Sequence, residues 1–145
     1  LEERLMSGFA EAPFAWGGLS PVMERPVTEA ESGAMLRAVF GLFDRWGLRG
    51  AECRLLLGSP SERTFQRWRA GDVASIPHDT VFRLGCLLGI HAALKHMFTA
   101  PERGYAWIKR PNAAFGGHSA LDKMLQGAPT DLADVRRYLE AERDA

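Results

Sequence analysis

From Thr28 onward the apolar residues fall at three- and four-residue spacing in separate runs, which predicts helices that each bury one side. Thr28 and Glu31 stand at capping-box spacing and open a first helix to about Trp46, with Leu36, Val39, Phe40, Phe43 and Trp46 on one stripe and Gly47 ending it. A second helix over about 50–57 carries Leu55, Leu56 and Leu57 and breaks at Gly58-Ser59-Pro60. A third follows over 61–70 and closes on Gly71. After a short linker, a long helix over about 79–98 has Val81, Leu84, Leu87, Leu88, Ala92, Leu94 and Phe98 around so much of its circumference that it should be the central beam. Pro101 opens a segment reaching Trp107 and Ile108, which Pro111 must stop, because proline has no N–H and pushes its predecessor out of the helical region. Ser119 caps the next helix with Asp122 three residues on, and Pro129-Thr130 start a last one with Leu132, Val135 and Leu139 inside.

Residues 1–27 lack this period and hold Pro13, Gly17, Gly18, Pro21 and Pro26, so they read as an arm. Phe9, Phe14 and Trp16 in that arm require burial, on their own domain or on a second copy. With 145 residues the chain can build one sizeable core or two small ones sharing an interface. Apolar residues at 46% and charged residues at 25% are those of a soluble globular protein. No apolar run approaches the roughly 20 residues that span a bilayer, and no signal segment opens the chain, so no membrane contact and a cytoplasmic address are expected. Cys53 and Cys86 are isolated in apolar helical patterns and read as reduced core thiols.

The zero net charge hides a local imbalance: residues 1–34 carry −4, residues 35–71 carry +4, and the two blocks beyond are neutral. A patch acts through its own field, so the division matters more than the total. The positive block contains the third helix, where Phe65 and Trp68 define the buried side and Arg63, Gln66 and Arg67 lie opposite, with Thr64 beside them and Arg69 on the flank. A short helix, a glycine-containing turn and a helix with an Arg/Gln outer face form the helix-turn-helix pattern, whose second helix enters the major groove. Arginine can grip guanine with two bonds and glutamine can grip adenine. The plain alternative is a solvated face on a helical hairpin. Glu62 brings a negative charge near the phosphates, and Gly58 to Phe65 is one residue longer than the usual spacing.

The loop between Trp107 and Leu125 is the other distinctive stretch. Asn112 can bond nearby backbone, Phe115 needs a pocket, and Gly116-Gly117 permit angles closed to other residues. Two readings stand level: an aromatic anchor for a partner, or a corner whose Trp107 and Phe115 fill the chain's own core. Catalysis finds little support, since there is no nucleophile elbow, phosphate-cradling loop, zinc-spaced cluster or dinucleotide fingerprint, and His118 beside Ser119 is not a catalytic geometry. His91 and His96 are five apart, not the spacing of a metal pair; with His78 they read as surface or capping residues, and no metal or cofactor is expected.

The stretch 106–125 closely resembles the toxin-binding motif of the bacterial Xre/MbcA/ParS antitoxins, with Trp107, Pro111-Asn112, Phe115-Gly116-Gly117 and Ser119-x-Leu121-Asp122 at the family's spacing. Ala120 stands where the family often has proline, and either suits a first helical turn. The resemblance covers roughly residues 34–145, weakly over the helix-turn-helix. It implies an all-α fold: a Cro/Xre-like helix-turn-helix domain over 28–98 and a small toxin-binding domain over 99–145, with the 1–27 arm serving dimerisation. It further implies a non-enzymatic antitoxin, a homodimer, that covers the active site of a RES-domain, NAD-degrading toxin and represses its own operon. Trp107, Pro111, Asn112, Phe115, Gly116, Gly117, Leu121 and Asp122 would then be toxin contacts, and Arg63, Thr64, Gln66, Arg67 and Arg69 would face operator DNA. On charge alone, Glu140, Glu142 or Asp144 would suit an electropositive pyrophosphate pocket in the toxin as anionic mimics; the ordinary reading is a solvated tail. The alternative function is a helix-turn-helix repressor with a dimerisation or effector-binding C-terminal domain, and a third is an interaction protein without DNA binding.

Overall fold

The computed structural model describes residues 27–145, and they fold as seven α-helices with no strand among the described residues. In chain order these are α1 (Glu29–Trp46), α2 (Gly50–Leu56), α3 (Glu62–Arg69), α4 (His78–Met97), α5 (Pro101–Lys109), α6 (Ala120–Met124) and α7 (Pro129–Asp144), with a 3-10 turn at Ala113–Phe115 before α6. The arm with Phe9, Phe14 and Trp16 lies outside the described residues. Helix boundaries follow short-range chemistry. Thr28 accepts from the Glu31 N–H at 3.1 Å and Glu31 returns an acceptor to Thr28 N–H at 2.9 Å, so two otherwise unsatisfied donors are met as α1 starts. At its end Gly47 turns left-handed, and the N–H groups of Gly47 and Leu48 close on Asp44 and Phe43 carbonyls.

The beam expected from the long apolar pattern is α4. It packs against α1 on one side and α5 and α7 on others, most extensively α7, and buries Leu84, Leu87, Leu88, Ile90 and Leu94. The missing side chain at Gly89 makes the α4–α7 approach possible. A Cβ at Gly89 would stand 2.6 Å from Nε of Arg136 and 3.0 Å from its Cδ, so the arginine lies flat across the α4 backbone. There it pairs with Glu140 at 2.9 Å and donates to the Gly85 carbonyl at 3.4 Å. Cys86 lies beneath, and burial pushes its thiol up to about 11, with Arg136 opposing the rise. Both cysteines are free and buried, as expected for core thiols.

Two polar residues sit where the apolar pattern does not place them. Arg83 is 4% exposed; its guanidinium donates to Asp79 at 2.8 Å, the Gly127 carbonyl at 2.8 Å and the Leu56 carbonyl at 3.5 Å. His91 corrects the surface reading, for it is 5% exposed, while His78 and His96 are indeed exposed. The physical reason is α5, which comes close to α4 at Gly104, where a Cβ would touch Leu94 Cβ at 3.4 Å, and so covers the His91 side of the beam.

Gly89→Ala should lower stability even though alanine favours a helix by roughly 1 kcal/mol, because displacing the bonded Arg136 carries an overpacking cost of about 1–3 kcal/mol. A urea unfolding midpoint below the parent's is the expected result; an equal or higher midpoint would mean Arg136 yields freely.

Candidate functional site

Two surfaces carry the sequence-predicted residues. The first is α3 and the turn before it. Residues 57–61 join α2 to α3, five residues rather than the three or four of a usual helix-turn-helix. Gly58 and Ser59 are both left-handed, at φ 94° and 57°, and fold the additional residue into the turn. Their N–H groups close on the Leu55 and Arg54 carbonyls at 3.1 and 2.9 Å. Gly58 has a second reason to lack a side chain: a Cβ there would lie 2.9 Å from the Asp79 carboxylate. Ser61 then caps α3 by accepting from Thr64 N–H at 3.1 Å.

Phe65 and Trp68 are buried at 3% and 5%, so the outer face of α3 is the one expected. Its residues are not equivalent. Arg63 is exposed and its side chain makes no ion pair or hydrogen bond among the described residues. Gln66 donates to Glu62 at 3.2 Å and Arg67 pairs with Asp72 at 3.2 Å, both at the surface, where such contacts exchange readily. Thr64 and Arg69 stand differently from the expectation. The Thr64 hydroxyl accepts from Ser61 within the cap. Arg69 is turned back onto α1, its guanidinium 5.1 Å from the Phe40 ring, 5.9 Å from the Phe65 ring and 3.4 Å from Asp44. Cation–π attraction and the carboxylate hold it there as a staple between helices.

The second surface is built by the loop after α5. The N–H groups of Asn112 and of residues 114–118 are all met inside this loop. Asn112 is its keystone: its carbonyl accepts from Phe115 and Gly117 at 3.0 Å, its N–H donates to His118 at 3.0 Å, and its side chain accepts from Ala114 at 2.9 Å. Pro111 and Ser119 close the loop as an isolated antiparallel bridge. Gly116 at φ 68° and Gly117 at φ 87° supply the left-handed step. Ser119 and Asp122 form the expected capping box, which occupies the Ser119 hydroxyl with the Asp122 N–H at 2.9 Å.

What the loop presents is an aromatic trio. Phe115 meets Tyr138 of α7 edge-on at 5.2 Å, Trp107 stacks on Tyr138 at 6.2 Å and 15°, and Trp107 meets Phe115 edge-on at 6.5 Å. All three rings are half-buried. They rest on their own chain and still show an apolar rim to solvent, so neither of the two sequence readings describes them alone. Tyr138 escaped the sequence reading; its signal was a position three residues beyond Val135, on the flank of the α7 stripe.

Several candidate contacts belong to the frame, not the face. Leu121 is 7% exposed and packs in the core under the loop. Asn112 has committed its backbone N–H and carbonyl and its side-chain oxygen to the loop, as has Asp122 its carboxylate to the cap. Glu140 is held by Arg136, which lies buried against α4 and needs a counter-charge. Asp144 pairs with Arg143 at 3.0 Å, and of the three acidic candidates Glu142 alone makes no such pair among the described residues. That geometry leaves Glu142 as the exposed, unengaged acid of the three among the described residues. A cavity of about 10 Å³ between α4 and α5, lined by His91, Leu94 and Tyr105, holds one water at most. Among the described residues, no three His, Cys, Asp or Glu side chains are placed to hold a metal, and no helix is long and apolar enough to cross a membrane.

The fold and its surfaces define a helical DNA-binding protein carrying a second, partner-binding module. Residues 25–81 match the antitoxin Xre-like helix-turn-helix domain, and residues 93–144 match the antitoxin Xre/MbcA/ParS C-terminal toxin-binding domain. The uncharacterized protein y4oB of Sinorhizobium fredii is 44% identical over 126 residues, spanning 87% of this chain and 94% of that protein. No solved structure matches. The chain belongs to the Xre/MbcA/ParS antitoxin family, an antitoxin with a helix-turn-helix and a toxin-binding domain.

Asn112→Ala removes a side-chain acceptor from a loop that relies on it and should destabilise the protein by about 1–2 kcal/mol. Urea unfolding checks this, and a loss below a few tenths of that would mean that the backbone bonds suffice.

Proposed function

We propose that this antitoxin neutralises a RES-domain, NAD-degrading toxin by laying its C-terminal module, residues 99–145, over the entrance to the toxin's active site, and that it acts by binding and not by catalysis. The observation that carries the reading is the half-exposed aromatic trio on a loop that satisfies its own backbone. Large aromatics with a dry flank and an exposed rim are the usual anchors of protein interfaces. A loop already in its bound shape also spends little ordering entropy on association. Phe115 and Trp107 would make the contact, with Pro111 and the flat Gly116-Gly117 backbone beside them allowing close approach. Asn112, Leu121 and Asp122 would act through the frame. The RES identity of the partner rests on the resemblance of the chain's overall layout, over roughly residues 34–145, to the family.

On the other side, residues 28–98 would bind operator DNA and repress the operon, with Arg63 and Gln66 reading bases and Arg67 free to exchange Asp72 for a phosphate. A symmetric dimer through the arm would present two such helices to two half-sites.

Co-expression with the product of the adjacent reading frame tests both halves. Phe115→Ala should fold, retain operator binding and weaken toxin capture by roughly 30-fold, about 2 kcal/mol for an interface anchor, with loss of host protection. Arg63→Ala should do the converse, costing about 1–3 kcal/mol in operator binding while leaving protection intact. Full protection by the folded Phe115 variant would sink the anchor assignment.

A further inference from the structure

We infer that Lys109 and Arg110, at the end of α5, extend the DNA-contacting surface beyond α3 by binding phosphates, immediately beside the partner loop. The inference rests on α3 being the DNA-facing helix. Its starting point is one face of α1, where Phe40, Asp44 and Gly47 follow at spacings of four and three. Arg69 of α3 lies over Phe40 and against Asp44. One turn further, about 4.5 Å along the axis, the Lys109 ammonium lies 3.4 Å from where a Cβ on Gly47 would be. The last arginine of α3 and the last lysine of α5 therefore converge over the end of α1.

Arg45 and Arg49 flank the same end of the helix, and both are exposed. Arg45 is already engaged; of the others, Arg69 is held by Asp44, and Arg49 lies 3.7 Å from Glu52, which caps α2. The side chains of Lys109 and Arg110 make no ion pair or hydrogen bond among the described residues. A duplex, with a negative charge about every 1.7 Å along its axis, supplies the missing anions to cations beside a groove-reading helix. Lys109 is also rotated about 200° around α5 from Trp107, so it points away from the aromatic trio.

The test is anisotropy titration of the full chain on the DNA upstream of its own reading frame at several salt concentrations, comparing the parent with a Lys109→Ala/Arg110→Ala double variant. Two lost phosphate contacts should reduce the slope of log affinity against log salt by about 1.8, with thermal unfolding and toxin co-purification unchanged. An unaltered slope overturns the inference, as does loss of toxin capture at an unaltered slope, which would assign these cations to the toxin instead. Arg63→Ala run in parallel separates the premises: if it too leaves operator binding untouched, the assignment of α3 fails; if it weakens binding while the double variant keeps its slope, only the strip fails.

Discussion

A buried guanidinium ties the two halves of this protein to one another. Arg83 on α4 lies out of water, where an ion is tolerated only if its charge is paired and its donors are met. It is met by Asp79, by the Leu56 carbonyl at the end of α2 and by the Gly127 carbonyl that leads into α7. The helix-turn-helix and the toxin-binding module thus depend on the same side chain. Its partner Asp79 fills the space that a Cβ on Gly58 would need, so the geometry of the turn before α3 is tied to the same anchor. On the far side of α4, Arg136 repeats the device against Gly85 and Gly89, binding α7 and with it Tyr138.

Two surfaces follow from this arrangement, and they differ in kind. The α3 face is cationic and its contacts are loose: Arg63 is unengaged among the described residues, and Gln66 and Arg67 hold exposed partners that a phosphate or base can replace. The loop surface is apolar and its contacts are fixed, with the backbone from Asn112 to His118 bonded to itself and three aromatic rings in mutual contact, one pair stacked and two edge-on. A long-range electrostatic ligand suits the first; a partner recognised by shape suits the second.

Much of this was legible in the sequence because it depends on neighbours along the chain. Capping boxes at Thr28 and Ser119, glycine stops at Gly47 and Gly71 and the proline break at Pro111 all act within five residues, and the helices begin and end there. The loop motif was equally local. What escaped depends on partners distant in sequence. The bonds of Arg83 and Arg136 reach across 27, 44 and 51 residues. No helical period reveals that an arginine is buried. The same holds for His91, covered by α5, for Arg69, folded onto Phe40, and for Tyr138, which becomes a third ring only once α7 is laid beside the loop. The sorting of the motif into a supporting frame and a presented face was invisible for that reason.

The central claim is that the loop is built before any partner arrives, so that association costs little ordering. Amide hydrogen exchange over residues 112–118, in the free protein and in the toxin complex, tests it most directly. Slow exchange at residues 114–118 in both states is the predicted result. Exchange at unstructured rates in the free chain, with protection gained only in the complex, would contradict it and make the loop a segment that folds on binding.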